Sequence, residues 1–119
     1  TTEIYTLSLH DALPISTRLF RNVSGKPGLR VRLQGPPGNP FAVGAVLRLK
    51  SGSRLGPARE VQAGSGYWSQ NSPVSVLGVS GTPTELEVRW PGGSAFSVAV
   101  PPDALDVVVG PDGRVVRAQ

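Results

Sequence analysis

Short stretches in which apolar and polar residues alternate recur along most of the chain. In the clearest, residues 84–90, Leu86, Val88 and Trp90 share one face and charged residues share the other. Residues 29–34 alternate in the same way. A period of two is typical of a strand with one buried face, and no stretch follows the helical period. The pattern therefore predicts an all-β chain, with Trp90 in its core.

Glycine and proline separate the alternating stretches, as expected for turns between strands. Asp112-Gly113 is a favourable hairpin turn. Seven or eight short strands, spaced roughly ten residues apart, are typical of an antiparallel sandwich or barrel, and we expect a β-sandwich of the jelly-roll or immunoglobulin-like kind. The other predicted strands are 42–50, 58–62, 74–77, 96–100, 105–109 and 115–116.

The first sixteen residues differ from the rest of the chain. Residues 5–16 resemble a translated sequencing-adapter oligonucleotide, so residues 1–16 are expected to be an artefactual or disordered leader. His10, the only histidine, lies in that stretch, and the chain has no cysteine. Leaving the leader aside, the residues exclude disulfides, histidine-based triads and thiolate or imidazole metal sites, so no cofactor is expected.

Arginine dominates the charge, with ten arginines and two lysines against eight acidic residues. Without Glu3 and Asp11 in the leader, twelve basic residues face six acidic ones, a net charge of +6. The arginines are spread along the strands, which favours solvated outer faces over a nucleic-acid site, so no specific nucleic-acid partner is expected. No apolar run is long enough to span a bilayer.

The richest stretch in chemical terms is 59–71, where a predicted strand ends in a glycine turn followed by two aromatic residues and three polar ones. The favoured interpretation is a packed corner with one ring in the core. The alternative is a binding platform of exposed rings, and the exposure of Trp68 distinguishes the two. The candidate binding residues are Arg59, Tyr67, Trp68, Ser69, Gln70 and Asn71.

Three blocks of sequence resemble the ASPIC/UnbV domain. They are Asn-Pro-Phe-Ala-Val-Gly-Ala at 39–45, Arg-Glu-Val with Gly-Ser-Gly-Tyr-Trp-Ser-Gln-Asn across 59–71, and Leu-Glu-Val-Arg-Trp-Pro-Gly-Gly at 86–93. Such domains typically follow FG-GAP/VCBS repeats, which form β-propellers in large exported or surface proteins, many of them bacterial. The resemblance implies an ASPIC/UnbV-like sandwich over 29–119, with 17–28 as the lead-in from an upstream repeat region.

The resemblance also implies a role without catalysis, outside the cell, at its surface or in the periplasm. The leading hypothesis is an accessory domain that docks on the upstream β-propeller of its parent protein or mediates adhesion to an extracellular protein. The second is a carbohydrate-binding module, since sugars stack on exposed aromatic rings and bond to amides. An enzyme using Glu85 and Glu87 as acid and base is the least favoured, because both fall on a solvated strand face.

Overall fold

A computed structural model describes residues 17–119, which form nine β-strands and no helix. The adapter-like stretch and His10 lie outside the described residues. Within 17–119 there is accordingly no helical segment capable of crossing a membrane. The strands are β1 (Leu29–Leu33), β2 (Val46–Ser51), β3 (Arg54–Leu55), β4 (Arg59–Glu60), β5 (Ser75–Leu77), β6 (Glu85–Arg89), β7 (Ala95–Ala99), β8 (Asp106–Val109) and β9 (Val115–Ala118).

The strands form two sheets, as predicted for a β-sandwich. The first sheet has the order β5-β1-β8-β9, and the second has the order β3-β2-β6-β7 with β4 also paired to β2. All pairs are antiparallel except β1 and β8, which run parallel from Arg30 opposite Asp106 to Leu33 opposite Val109. The predicted antiparallel β-sandwich is thus confirmed as a fold of two mostly antiparallel sheets, with one parallel pair that the sequence pattern did not specify. A parallel pair needs a long connection between its strands, and here that connection contains the whole second sheet.

The core contains aliphatic side chains from both sheets. The alternation predicted for 29–34 and 84–90 is confirmed, because Leu29, Val31, Leu86 and Val88 are all 0% exposed. Trp90 is partly buried and packs against this core, with its ring centroid 6.3 Å from that of Phe96. Small and branched residues thus fill the centre, and the two rings close one side of it.

Several predicted strands are shorter in the structure than in the sequence pattern; 58–62, for example, becomes Arg59–Glu60. Stretch 42–50 becomes a strand only from Val46, because Ala42 (φ 55°) and Gly44 (φ 87°) turn the backbone before it. The Asn39 side chain holds this turn by accepting from the Val43 amide and donating to the Val43 carbonyl, both at 2.9 Å. Leu105 lies before β8 and is exposed.

Candidate functional site: the aromatic loop and its cleft

The stretch 63–71, here called the aromatic loop, lies in the connection between β4 and β5. β4 belongs to the second sheet and β5 to the first, so this connection passes from one sheet to the other along the side of the sandwich. β5 is the end strand of its sheet, and β4 pairs only with β2 among the described strands. The loop is thus placed at the edge of the sandwich, where its side chains have few neighbours.

The backbone of the aromatic loop is unusually rich in left-handed residues. Gly64 (φ 70°) and Gly66 (φ 108°) adopt conformations that glycine accepts at little steric cost. Trp68 also has positive φ, at 53°. A bulky residue rarely adopts this conformation, and residues held in it cluster at functional sites. A Cβ atom at Gly66 would meet the Ser69 hydroxyl group, so the Ser69 side chain would have to move to admit it.

Both rings of the loop face solvent. Tyr67 is 68% exposed and Trp68 is 83% exposed. Their centroids are 6.0 Å apart, with an interplanar angle of 53°. The favoured expectation that one ring would pack in the core was wrong. The core is filled by aliphatic side chains, and the left-handed turn presents the two rings outward as a pair.

A polar cleft of about 350 Å³ lies beside the aromatic loop. Of the candidate residues, only Asn71 lines it; Arg59, Tyr67, Trp68, Ser69 and Gln70 do not. The rings of Tyr67 and Trp68 therefore form a pair, whereas Asn71 belongs to the polar cleft. Among the described residues the cleft is lined by Glu60, Val61, Gln62, Ser65, Asn71, Ser72, Val74 and Ser75.

Sequence reasoning missed most of the cleft. Glu60 and Gln62 flank the buried Val61, so alternation alone directs both polar side chains away from the core. That signal was available in the sequence. Ser65 and Ser72 join them because the chain turns back between β4 and β5, and no local pattern encodes that return.

Arg59 takes a different position from the other candidates. It lies on β4 directly opposite Leu47 of β2, and its side chain is exposed at the edge of the sheet. Ser69 and Gln70 are exposed within the loop itself. The six candidates are thus neighbours in sequence that the structure divides among a strand edge, a ring pair, two exposed loop positions and a cleft.

The two glutamates considered for acid–base chemistry lie on the outer face of the second sheet. The carboxylate of Glu85 accepts a hydrogen bond from Lys50 Nζ at 3.0 Å. Glu87 lies opposite Arg48, whose Nε donates to the Gly56 carbonyl at 3.2 Å. Each glutamate therefore faces a basic residue across the β2–β6 pair. Within 17–119, no three acidic or histidine side chains are grouped to hold a metal ion.

Comparison with known proteins gives one match. The family model described as "ASPIC and UnbV" matches residues 35–104. This range includes the aromatic loop and the whole lining of the cleft. No curated protein and no solved structure matches the chain.

Proposed function

Because this chain belongs to the ASPIC and UnbV family, we propose that it is a non-enzymatic accessory domain that docks on the repeat region of an FG-GAP repeat protein. The family is consistent with an accessory domain of such proteins. In this proposal the parent protein is exported, and the domain works outside the cell, at its surface or in the periplasm. The contact with the repeat region, a β-propeller, is made by the aromatic loop.

The observation that supports docking most directly is the exposure of Trp68 and Tyr67 side by side. Tryptophan and tyrosine are the residues most enriched at the energetic centres of protein interfaces. An 83% exposed indole contributes little to the fold, yet it would bury a large apolar area on association. The positive φ of Trp68 adds a conformational cost that a purely structural loop could avoid with glycine or asparagine.

The polar cleft supplies the second part of the proposed contact. Glu60, Gln62 and Asn71 offer a carboxylate and two amides in the lining of the cleft. Interfaces of standard size combine such a polar rim with a few aromatic anchors. In the proposed complex the rings provide most of the affinity, and the cleft sets the orientation of the partner.

The test measures binding of this domain to the separately produced repeat region of the parent protein by calorimetry. Tyr67→Ala and Trp68→Ala should each weaken binding by about tenfold or more, the loss typical of an interface anchor. Phe41→Ala is the matched control, because Phe41 is a 60% exposed aromatic residue outside the loop. If both loop variants bind as tightly as the unmodified chain, docking through this loop is wrong.

A second candidate function, carbohydrate binding, is favoured by the same rings. Sugars stack on exposed aromatic faces, and Gln70 and Asn71 place amide groups next to Trp68 in sequence. A screen of neutral oligosaccharides, followed by Trp68 fluorescence in a Trp90→Phe background, tests this function separately. Saturable quenching of Trp68 that Tyr67→Ala weakens would support a glycan site on the ring pair. A flat response across the screen would leave protein docking as the function of the loop.

A further inference from the structure

The outer face of the first sheet has an excess of positive charge. Arg30 and Arg32 point outward from β1, since they alternate with the buried Leu29, Val31 and Leu33. Across the sheet, Arg32 lies opposite Val108, and Val108 lies opposite Arg117 of β9. Residues opposite one another in paired strands project to the same side. Three arginines therefore share this outer face.

The Asp106 carboxylate forms ion pairs with two of these arginines. Asp106 lies between β1 and β9, with its carboxylate oxygens 3.4 Å from Arg30 Nε and 3.5 Å from Arg117 Nη2. The Arg30 and Arg117 side chains remain more than half exposed, at 58% and 56%. Each guanidinium has five N–H donors, so a single contact leaves most of its donors free. Asp106 thus limits the movement of two cations without neutralising the face.

The outer face of the second sheet is balanced, which makes the first sheet distinctive. Its strand pairs set basic residues opposite acidic ones, including Lys50 opposite Glu85 and Arg48 opposite Glu87. Arg89 and Glu60 both lie opposite Val46. The second face therefore has three basic and three acidic side chains, whereas the first has three arginines and one aspartate. The positive charge of the chain is unevenly distributed between the two outer faces.

We propose that the outer face of the first sheet, formed by Arg30, Arg32 and Arg117, binds a carboxylate-bearing polysaccharide. A planar guanidinium matches a carboxylate with two parallel hydrogen bonds. Strand geometry spaces Arg30 and Arg32 by roughly 7 Å and Arg32 and Arg117 by roughly 10 Å. Such a flat array of separated cations fits an extended polymer with repeated acidic groups better than one compact anion.

The composition of the face disfavours two other kinds of partner, single-stranded nucleic acid and protein. The four strands β5, β1, β8 and β9 contain no aromatic residue. Single-stranded nucleic acid is usually held by aromatic rings on which its bases stack. The cores of protein interfaces are likewise enriched in aromatic residues, which these four strands lack. An acidic sugar polymer needs no such ring, because its charged groups provide the main contact.

The experiment measures binding of the full chain to polygalacturonate by calorimetry at about 50 and 150 mM salt. The variant R30A/R32A/R117A should bind at least about tenfold more weakly, with a smaller salt dependence. The control R21A/R54A/R89A removes the same charge elsewhere and should change binding by less than about threefold. Arg32→Ala alone touches no ion pair among the described residues, and should weaken binding by about threefold or more even if the triple variant unfolds.

Three results would overturn the proposal. The first is equal weakening by both triple variants, which would mean that only net charge matters. The second is tighter binding of oligo-dT than of polygalacturonate at matched charge, which would make nucleic acid the partner. The third is loss of polygalacturonate binding in Y67A/W68A with the arginines intact, which would place the polymer on the aromatic loop. Neutral dextran should not bind, and substitution of the arginines should leave docking to the repeat region unchanged.

Discussion

Gly113 packs directly against the ring of Phe96: a methyl group at Gly113 would lie 3.0 Å from Phe96 Cδ2. Gly113 belongs to the β8–β9 turn of the first sheet, and Phe96 belongs to β7 of the second. The contact therefore joins the two layers near their edges. Gly113 also has φ of +76°, so it combines a left-handed backbone with a crowded position.

Gly113→Ala should lower the free energy of unfolding by about 1–3 kcal/mol, because the methyl group adds overlap to an unfavourable backbone conformation. Gly92→Ala is the matched control. Gly92 has φ of +97° but open space around its Cβ position, so it reports the backbone effect alone. Urea unfolding of both variants measures the difference. Equal losses would show that the methyl group is accommodated beside Phe96 without an added cost.

Leu47→Ala should destabilise the domain by about 2–5 kcal/mol, since the side chain is fully buried and its removal leaves a cavity. Leu105→Ala makes the same chemical change at a residue that is 55% exposed, and should cost less than about 1 kcal/mol. Both values come from urea unfolding monitored by tryptophan fluorescence. Similar losses at the two positions would contradict the assignment of Leu47 to the core.

Trp68→Asn should leave stability unchanged or raise it slightly, by up to about 1 kcal/mol, because asparagine tolerates the left-handed conformation better than tryptophan does. Loss of a buried tryptophan would instead cost about 3–5 kcal/mol. The same substitution should weaken binding to the repeat region. Thermal unfolding measures the change in stability, and the binding titration measures the change in affinity. Unchanged stability with weaker binding would show that Trp68 serves recognition and not packing.

Lys50 and Glu85 should show a coupling free energy of about 0.2–1 kcal/mol in a double-mutant cycle with Lys50→Met and Glu85→Gln. Their side chains are 43% and 41% exposed, so water and salt weaken the attraction. The coupling should diminish at about 1 M salt. A coupling that did not respond to salt would point to packing between the two side chains as its source.

A chain limited to residues 35–104, the range of the family match, should not fold. It lacks β1, β8 and β9, which are three of the four strands of the first sheet. A chain of residues 29–119 retains all nine strands and should unfold cooperatively. Circular dichroism with urea titration of the two chains tests this boundary. A cooperative transition for 35–104 would show that the second sheet is stable alone.

The alternating pattern was sufficient to predict the fold class and most of the core. Leu29, Val31, Leu86 and Val88 are all buried, as the pattern predicts. Alternation with a period of two places apolar side chains on one face of a strand, and this pattern can be identified from neighbouring residues alone. Parallel pairing of β1 with β8 could not be predicted in this way. It joins strands at opposite ends of the domain, and no local pattern specifies which strands become neighbours.

The candidate site was predicted in part. The sequence identified the stretch that contains Tyr67, Trp68 and Asn71, but it favoured burial of one ring. Whether a ring is buried depends on the direction in which the backbone presents it. Trp68 has positive φ, which is rare for a bulky residue and so could not be predicted from its residue type. Alternation alone directs Glu60 and Gln62 away from the core, but their place in a cleft depends on the return of the chain toward β5, which no local pattern specifies.

The parallel pair of β1 and β8 has a consequence for synthesis of the protein. Among the described strands, β1 emerges from the ribosome first, but its parallel partner β8 follows only after β2 to β7 have been made. Until then β1 has an open edge beside Leu29, Val31 and Leu33, which are buried in the finished domain. Contacts between residues so distant in sequence form slowly. A nascent chain therefore cannot complete the sandwich until β8 has been made, and before that point it remains open to handling by other factors.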